Sequence, residues 1–387
     1  RWPAVLEEPA RPDGLQDGDH RHREPAHGAG AARAALHHPD RAVPAAGISV
    51  GITRRCPLSC AHCSTNSTMQ SEEMPYSALS RFIDTFSIDS HPRFMAMSGG
   101  EALLRPQLVE NLALTSRRYG TKSSVLSGMF FARQAEIPKQ IRAAIDAVDH
   151  FSVSMDEFHE REVPRSNVFN VVRKLLDHGK HLSIHIAGRD ENDTYPDQLT
   201  VAIRQIFGDR VPMLVNTLSP FGRAKTFMLP AISKTQTKHI ANPCTMAAWP
   251  VVGFDGIVAA CGNDNLIGCV PSHLKLGDIR VDDWQNIKTR CETRSISMAL
   301  RTYGPEYIQH HFGKPTPAYG TGYCNTCIQL RNEFDIEDAV EEHMQKVGSK
   351  ALSNAVVGLQ VEMGAVEFAK RYGHPRFAEL VLLGSDT

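Results

Sequence analysis

The stretch ISVGITRRCPLSCAHC (residues 48–63) joins a strand pattern to a cluster of cysteines. Residues 48–53 are rich in β-branched side chains, which favours a β-strand. Cys56, Cys60 and Cys63 follow directly with the spacing C-x3-C-x2-C, so they lie in the loop that leaves this strand. Three thiols at the end of a strand indicate part of a disulfide framework, a zinc site or the ligand set of another metal centre.

Three cysteines without a fourth nearby fit an iron–sulfur cluster better than the alternatives. Zinc usually takes four ligands, and His62, which stands between Cys60 and Cys63, could hardly reach the same ion. Stable disulfides are disfavoured in a chain for which neither a signal peptide nor a membrane span is predicted. Three thiolates suit a [4Fe–4S] cluster with one iron left open. Their place after a strand is also the usual position of βα-barrel active sites.

The composition limits the classes of function. The chain has 387 residues, of which 42% are hydrophobic and 22% are charged, with a formal net charge of −1. These values are ordinary for a globular protein and give no reason to expect a nucleic-acid partner or a membrane surface. We expect a cytoplasmic protein. Residues 1–47 show little apolar periodicity and are predicted to form a poorly ordered N-terminal extension.

Strand-like and helix-like segments alternate six times over residues 48–220. This rhythm predicts an α/β fold with a parallel sheet covered by helices. The strand patterns at 150–156 and 181–187 alternate apolar with polar residues, whereas strands buried on both faces should be apolar throughout. A partial (β/α)6 TIM-like barrel with a polar interior is therefore favoured over a doubly wound sheet. The alternative is that these polar groups hydrogen-bond one another in a core.

A second motif follows the second predicted strand. The segment MSGGEALLRP carries Gly99, Gly100 and Glu101. Glycine allows a ligand to approach the backbone closely, and a carboxylate accepts charge-assisted hydrogen bonds from an ammonium group. Together, CPLSCAHC and GGE resemble the motifs of the radical S-adenosylmethionine (SAM) superfamily, and the resemblance covers residues 48–220.

The resemblance implies cofactors and roles for several residues. Cys56, Cys60 and Cys63 would hold the [4Fe–4S] cluster, whose open iron binds SAM. Reductive cleavage of SAM would give a 5′-deoxyadenosyl radical that takes a hydrogen atom from the substrate, with an electron donor such as a flavodoxin or ferredoxin as partner. The residues implied to contact SAM are His62, Gly99, Gly100, Glu101, Ser154 and Asp156.

Five more residues are weaker candidates. His185 and Asn216 could face the interior from the fifth and sixth strands. His185 and Asp264 are predicted to handle protons and Asn216 to contact the cofactor, and structural roles are the alternative. Gly222 and Arg223, in the segment SPFGRA, are predicted to line the SAM or substrate site. An ordinary turn with an exposed arginine is the alternative.

The region after residue 220 carries a second set of cysteines. It contains a C-x11-G-x4-C pattern around a predicted Asp-Gly hairpin turn, followed by a C-x2-C pair. This arrangement resembles the twitch and SPASM extensions of the same superfamily and implies an auxiliary [4Fe–4S] cluster, with structural zinc as the alternative. The implied ligands are Cys244, Cys261, Cys324 and Cys327.

These patterns divide the chain beyond its N-terminal extension. We expect a radical SAM partial barrel over 48–220, a cysteine-rich twitch/SPASM-like domain over 221–334 and a helical segment over 335–387. Cys269 and Cys291 are expected to be free thiols.

Three functions were compatible with these residues. The first is oxidative modification of a ribosomally synthesised peptide, in which an auxiliary cluster accepts an electron from the substrate. Because the N-terminal extension is short and poor in apolar residues, this function would need a separate leader-binding protein. The second is dehydrogenation of a small sugar or cyclitol alcohol. The third is a non-catalytic zinc or iron–sulfur binding module, which the GGE motif and the polar barrel face disfavour.

Overall fold

The structure is a computed structural model, and it describes residues 38–134, 136–228, 240–313, 322–330 and 336–384. Six parallel strands form the body of the sheet, and each pairs with the next strand along the chain. This confirms the predicted α/β fold with a partial TIM-like barrel. The strands are β1 (Gly47–Thr53), β2 (Phe94–Gly99), β3 (Lys122–Ser127), β4 (His150–Ser154), β5 (Leu182–Gly188) and β6 (Met213–Thr217).

Helices between the strands bury one apolar face each. In the fifth of them, Val168, Val172 and Leu175 recur at helical spacing and are buried. The sequence pattern does not predict the fourth, because Phe158 is its one buried residue and no periodicity results. The helices are α1 (Tyr76–Ile83), α2 (Pro106–Arg117), α3 (Lys139–Ala147), α4 (Glu157–Glu162), α5 (Arg165–Asp177) and α6 (Tyr195–Phe207).

The predicted hairpin after residue 220 continues the barrel sheet. Strand β7 (Val251–Val252) pairs in parallel with β1, and β8 (Ile257–Ala259) and β9 (Lys275–Asp278) follow in antiparallel pairs. Gly256 lies at the turn between β7 and β8 with φ of +87°, a conformation that favours glycine. The sheet therefore has nine strands in the order β6-β5-β4-β3-β2-β1-β7-β8-β9.

The remainder of the described chain is helical, as predicted for its C-terminal part. The final turn, Pro375–Leu382, returns to the barrel, where the His374 N–H donates to the Val215 carbonyl of β6 at 2.8 Å. The helices are α7 (Trp284–Thr293), α8 (Ser295–Thr302), α9 (Pro305–Phe312), α10 (Tyr323–Gln329), α11 (Ile336–Gln345) and α12 (Val347–Tyr372). None of the helices described combines the length and the apolarity needed to span a bilayer.

Residues 38–46 differ from the predicted poorly ordered extension, of which residues 1–37 lie outside the described chain. The Ala45 N–H donates to the Ala248 carbonyl at 2.8 Å. The Trp249 indole donates to the Asp40 carbonyl at 3.2 Å. Arg41 is buried with 6% exposure. The segment is held because it covers the fully buried Trp249, a contact that local sequence periodicity does not reveal.

The polar residues inside the barrel form a hydrogen-bonded core at one level and line a cavity at another, so both interpretations of the strand pattern apply. Deep in the barrel, His150 Nε2 lies 2.9 Å from Ser183 Oγ, which lies 3.4 Å from Ser152 Oγ, so buried polar groups satisfy one another. Nearer the carboxyl ends of the same strands, Ser154 and His185 line a cavity instead. The polar alternation therefore serves a core layer below and a binding site above.

Candidate active site

A cavity of about 440 Å³ opens at the carboxyl ends of the parallel strands. This volume is within the usual range for small-molecule sites. The cavity brings together most of the sequence-predicted site residues from β1 to β6. Those that line it are Cys56, Cys60, His62, Cys63, Gly99, Gly100, Ser154, Asp156, His185, Asn216, Arg223 and Asp264.

Arg223 and Gly222 hold the cysteine loop from the far side of the barrel. The Arg223 backbone N–H donates to the Cys63 carbonyl at 2.9 Å. Its guanidinium donates to the carbonyls of Cys60, at 2.9 Å, and Ser67, at 2.6 Å. Gly222 has φ of +50°, and a Cβ there would lie 2.3 Å from the Cys63 carbonyl oxygen. The predicted turn therefore positions the loop, and its arginine is not an exposed one.

Gly99 and Gly100 meet the start of the cysteine loop. A Cβ on Gly99 would lie 2.2 Å from the Thr53 carbonyl oxygen, and one on Gly100 would lie 2.5 Å from that of Arg54. The Gly100 N–H donates to Thr53 at 2.8 Å. Both glycines line the cavity, and they are also required because two backbone segments touch here.

Glu101 is placed differently from the prediction. Its side chain is buried and is not among the residues that line the cavity. One carboxylate oxygen accepts from the Leu103 N–H at 3.0 Å, and the other accepts from Ser127 Oγ at 3.1 Å and the Gly128 N–H at 2.9 Å. Burial raises the pKa of Glu101 to about 7, although these hydrogen bonds oppose the rise. The described contacts tie the end of β2 to the end of β3, and a bond to the amino group of SAM stays a prediction.

Asp156 joins two histidines to the cysteine loop. One of its oxygens caps α4 by accepting from the Phe158 and His159 N–H groups at 3.0 Å. The other lies 2.8 Å from His159 Nδ1 and 3.3 Å from His62 Nε2. Ligand atoms of Cys60, His62 and His159 lie within 4.8 Å of one another. Sequence reasoning missed His159, for which the signal was Asp156 as the cap of an unpredicted helix.

The charges in this group support one another. Burial alone would lower the pKa of His159, but the Asp156 carboxylate raises it well above its usual range. Conversely, burial would raise the pKa of Asp156, but His159 and His62 hold it far below its usual range. The pair is therefore a buried carboxylate and imidazolium that fix the His62 ring beside the thiols.

The ring of His62 already has a stacking partner within the protein. It stacks on Phe158 with ring centroids 4.6 Å apart, and Phe158 in turn stacks on Phe227 at 5.7 Å. His62 Nδ1 is buried without a hydrogen-bond partner, and so is Nε2 of His185. Two unsatisfied ring nitrogens on the wall of this cavity suit a ligand that carries polar groups. Contact between His62 and adenine stays a prediction.

The family comparison agrees with this geometry. Residues 50–200 match the model of the radical SAM superfamily. Residues 50–200 are a radical SAM domain. Such a domain makes the chain an enzyme whose cofactors are a [4Fe–4S] cluster and SAM.

Solved structures that resemble the chain are distant in sequence. One is Streptococcus suis SuiB bound to precursor peptide SuiA, with 10% identity, 68% of each chain covered and a TM-score of 0.48. Another is native anSMEcpe with bound AdoMet, with 12% identity, 80% of this chain and 99% of that chain covered, and a TM-score of 0.46. No curated protein matches the chain. The domain assignment rests on the family match and the motifs.

The residues of the radical SAM domain fit its cofactors. Cys56, Cys60 and Cys63 all line the cavity, which extends past them to the polar ends of β4, β5 and β6. In the described chain these three sulfurs do not form a group within 4.8 Å. Tetrahedral zinc with bonds of about 2.3 Å would need sulfurs roughly 3.8 Å apart, so the wider spacing fits a cluster. Cluster ligation by these residues stays a prediction.

A second cavity of about 260 Å³ adjoins the first. Thr65, Gly99 and Asp264 line both cavities. The walls of the second one are mostly apolar and come from β1, β7, β8 and the loop after Cys261. Its apolar residues include Val50, Met246, Trp249, Val252, Phe254, Ile257, Leu266 and Ile267. Burial raises the pKa of Asp264, with Ser64 opposing the rise.

The four predicted auxiliary ligands come from three chain segments and act on one another electrostatically. The thiols of Cys244, Cys261 and Cys324 each raise the pKa of Cys327, beyond the effect of its burial. Cys261 lines the second cavity. Cys269 is exposed and Cys291 is buried. Among the described residues the four sulfurs do not lie within 4.8 Å of one another, which is again wider than zinc requires.

Proposed function

We propose that this radical SAM enzyme oxidatively modifies an apolar side chain of a ribosomally synthesised peptide, with an auxiliary [4Fe–4S] cluster as electron acceptor. The observation that carries the proposal is the pair of adjoining cavities. The three-cysteine loop borders the first, Cys261 borders the second, and Asp264 lines both. When bound, the two clusters and SAM supply the 5′-deoxyadenosyl radical that takes hydrogen and the acceptor for the electron that remains.

The chain's own residues orient the reactants. Arg223 and Gly222 hold the cysteine loop, and Asp156 fixes His62 and His159 beside it. The second cavity would hold the substrate next to the first and exclude water from it. Asp264 is within reach of both cavities and is the candidate to take a proton from the substrate as it is oxidised.

The walls of the second cavity favour a peptide side chain over a cyclitol. A polyhydroxylated ring would need a partner for each hydroxyl, because an unmatched polar group costs binding energy. Trp249, Phe254 and Ile267 offer none at their ring and methyl surfaces, so only the part of the wall with polar residues such as Ser49, Ser98 and Asn263 could match hydroxyls. An apolar side chain would fill the space along the apolar surfaces. Peptide modification is therefore preferred, and cyclitol dehydrogenation is the second candidate.

The first test counts iron in protein purified and reconstituted without oxygen. About eight irons per chain, with an EPR signal that changes on adding SAM, would support two clusters. About four irons together with bound zinc would contradict the proposed electron acceptor and favour structural zinc at the second cysteine set.

The second test concerns the substrate. Peptides with aliphatic or aromatic side chains and an amino-cyclitol would be offered separately, and 5′-deoxyadenosine and substrate mass would be followed. We expect a peptide to stimulate SAM cleavage and to lose two hydrogens. Ser98→Leu should fill the second cavity and abolish product while leaving substrate-free SAM cleavage intact, and Ser98→Ala is the matched control. If only the amino-cyclitol stimulated SAM cleavage, the proposal that the substrate is a peptide would be rejected.

A further inference from the structure

Two arginines are buried beside the second cysteine set without an ion-pair partner among the described residues. Arg41 is 6% exposed and Arg301 is 2% exposed. Within the described chain neither forms an ion pair, whereas the half-exposed Arg290 pairs with Asp282 at 2.9 Å. A buried charge is costly unless a charge or several hydrogen bonds compensate it. Two such cations in one place therefore point to a negative charge nearby.

Both guanidinium groups converge on the short turn that follows Cys244. Arg41 donates to the carbonyls of Thr245 and Met246, each at 3.4 Å. Arg301 donates to the carbonyls of Ala247, at 3.2 Å, and Glu292, at 3.3 Å, and its Nε is buried without a partner. These bonds are long or incomplete, so backbone dipoles compensate the two charges only in part.

The ionisable groups that act on the two arginines are mostly thiols, together with Tyr372 for Arg41 and Glu292 for Arg301. Burial lowers the pKa of Arg41 to about 10, and Cys244 and Cys261 are among the groups that oppose this fall. Burial likewise lowers the pKa of Arg301, with Cys291 and Cys244 opposing it. Cys291 is no counter-ion, because its thiol donates to the Ala248 carbonyl at 3.4 Å and burial raises its pKa. Burial also raises the pKa values of Cys261, Cys324 and Cys327, but thiols that bind a metal centre lose their protons and become anionic. The thiols that remain are those of the auxiliary set.

We propose that Arg41 and Arg301 are the counter-charges of an anionic centre held by Cys244, Cys261, Cys324 and Cys327, and that they raise its reduction potential. The inference rests on the proposed auxiliary cluster. A [4Fe–4S] cluster with four thiolates carries net negative charge, which grows on reduction. Nearby buried cations therefore stabilise the reduced form more than the oxidised form. Such a centre is a better electron acceptor.

If these arginines served only to fill space, replacing them would not change the reduction potential of the centre. The Arg41 guanidinium also lies over the Trp249 ring at 4.9 Å from its centroid, a contact that a neutral side chain of similar length would partly keep. Loss of the charge, by contrast, changes the potential of a nearby redox centre. The reduction potential therefore separates an electrostatic role from a packing role.

The experiment uses a parent protein with Cys56, Cys60 and Cys63 changed to alanine, so that only the auxiliary centre contributes an EPR signal. After reconstitution, iron is counted and the midpoint potential is measured in an EPR-monitored titration. We expect Arg41→Gln and Arg301→Gln to shift the midpoint to more negative values, and the double variant to shift it furthest. Arg41→Lys, which keeps the charge, and Arg290→Gln, which removes a paired charge, should leave it nearly unchanged.

The outcomes are distinguishable. A parent that binds about four irons but whose midpoint does not move in either glutamine variant would overturn the role of the arginines. A parent without iron would overturn the auxiliary cluster itself. A glutamine variant that fails to assemble the centre is assessed by thermal unfolding of the iron-free protein. We expect the iron-free variant to be no less stable than the iron-free parent, because an unpaired charge has been removed. If the variant lost the same amount of thermal stability with iron as without it, the arginine would have a packing role and the proposal would be rejected.

Discussion

The two cysteine sites of this chain are assembled in opposite ways. The loop of the radical SAM domain takes Cys56, Cys60 and Cys63 from eight consecutive residues, and the Gly222 backbone and hydrogen bonds from Arg223 to backbone carbonyls shape it. The second set is gathered from residues up to more than eighty positions apart and is flanked by two buried cations that form no ion pair within the described part of the chain. The first is a preformed backbone cradle, and the second depends on charge.

This difference assigns the two sites different tasks. A cradle of backbone contacts fixes the position of a ligand and leaves one side of it open, here toward the cavity that reaches β6. A set of thiols that lies among buried cations and a mostly apolar cavity is suited to store charge rather than to bind substrate. The comparison is sharpest where one substitution should affect one site and spare the other.

The largest expected effect comes from removing one cysteine at each site. Cys60→Ala should abolish SAM cleavage, because the cradle has no fourth thiol to replace it. Cys261→Ala should retain cleavage of SAM without substrate and lose the oxidised product. Each variant should lose about half of the iron. Iron content and 5′-deoxyadenosine formation under a chemical reductant measure both effects, and equal loss of SAM cleavage would erase the distinction between the sites.

An intermediate effect is expected from the cradle itself. Gly222→Ala must place a Cβ about 2.3 Å from the Cys63 carbonyl at φ of +50°, so the loop has to move. We expect a loss of roughly 2–4 kcal/mol in unfolding free energy and faster release of iron from the radical SAM site. Thermal or urea unfolding and the rate of iron loss to a chelator give the two readings.

Gly179→Ala is the matched control for this substitution. Gly179 has φ of +76°, but a Cβ there would meet nothing within 4 Å. Alanine should therefore cost only about 1–2 kcal/mol for its left-handed backbone and should not change iron release. If both variants released iron at the same rate, the contact between Gly222 and the cysteine loop would not matter for cluster retention.

The same contrast explains what the sequence could predict. The strands of the barrel follow from local alternation, and the three-cysteine loop is a local motif, so both were accessible. Arg41 was assigned to an unstructured extension, because its partners at Thr245 and Met246 are some two hundred residues away. The hydrogen bonds by which Ser127 and Gly128 hold the Glu101 carboxylate could not be predicted from the sequence either, because they join the ends of two strands. Contacts between distant segments carry no periodic signal, and the charges of the second site depend on such contacts.

The smallest effect concerns thiol reactivity in iron-free protein, where the two sites should still differ. Burial alone would raise the pKa of Cys63. Hydrogen bonds from Thr65 and Ser67 and the charge of Arg223 outweigh this effect and lower the pKa. Burial raises the pKa of Cys261 to about 12, with Cys244 adding to the rise. Since the thiolate is the reactive form, Cys63 should be alkylated before Cys261 near neutral pH.

Mass spectrometry after timed iodoacetamide treatment measures this order. The alkylation rate of Cys63 should rise with pH and level off at a pH below the usual pKa of a thiol. The alkylation rate of Cys261 should still be rising at pH 9. Arg223→Met should slow Cys63 at neutral pH, because the cation that favours its thiolate is gone, and leave Cys261 unchanged. Slowing at both thiols would mean that Arg223 acts on the whole fold, and the separation of a backbone cradle from a charge-dependent site would then fail.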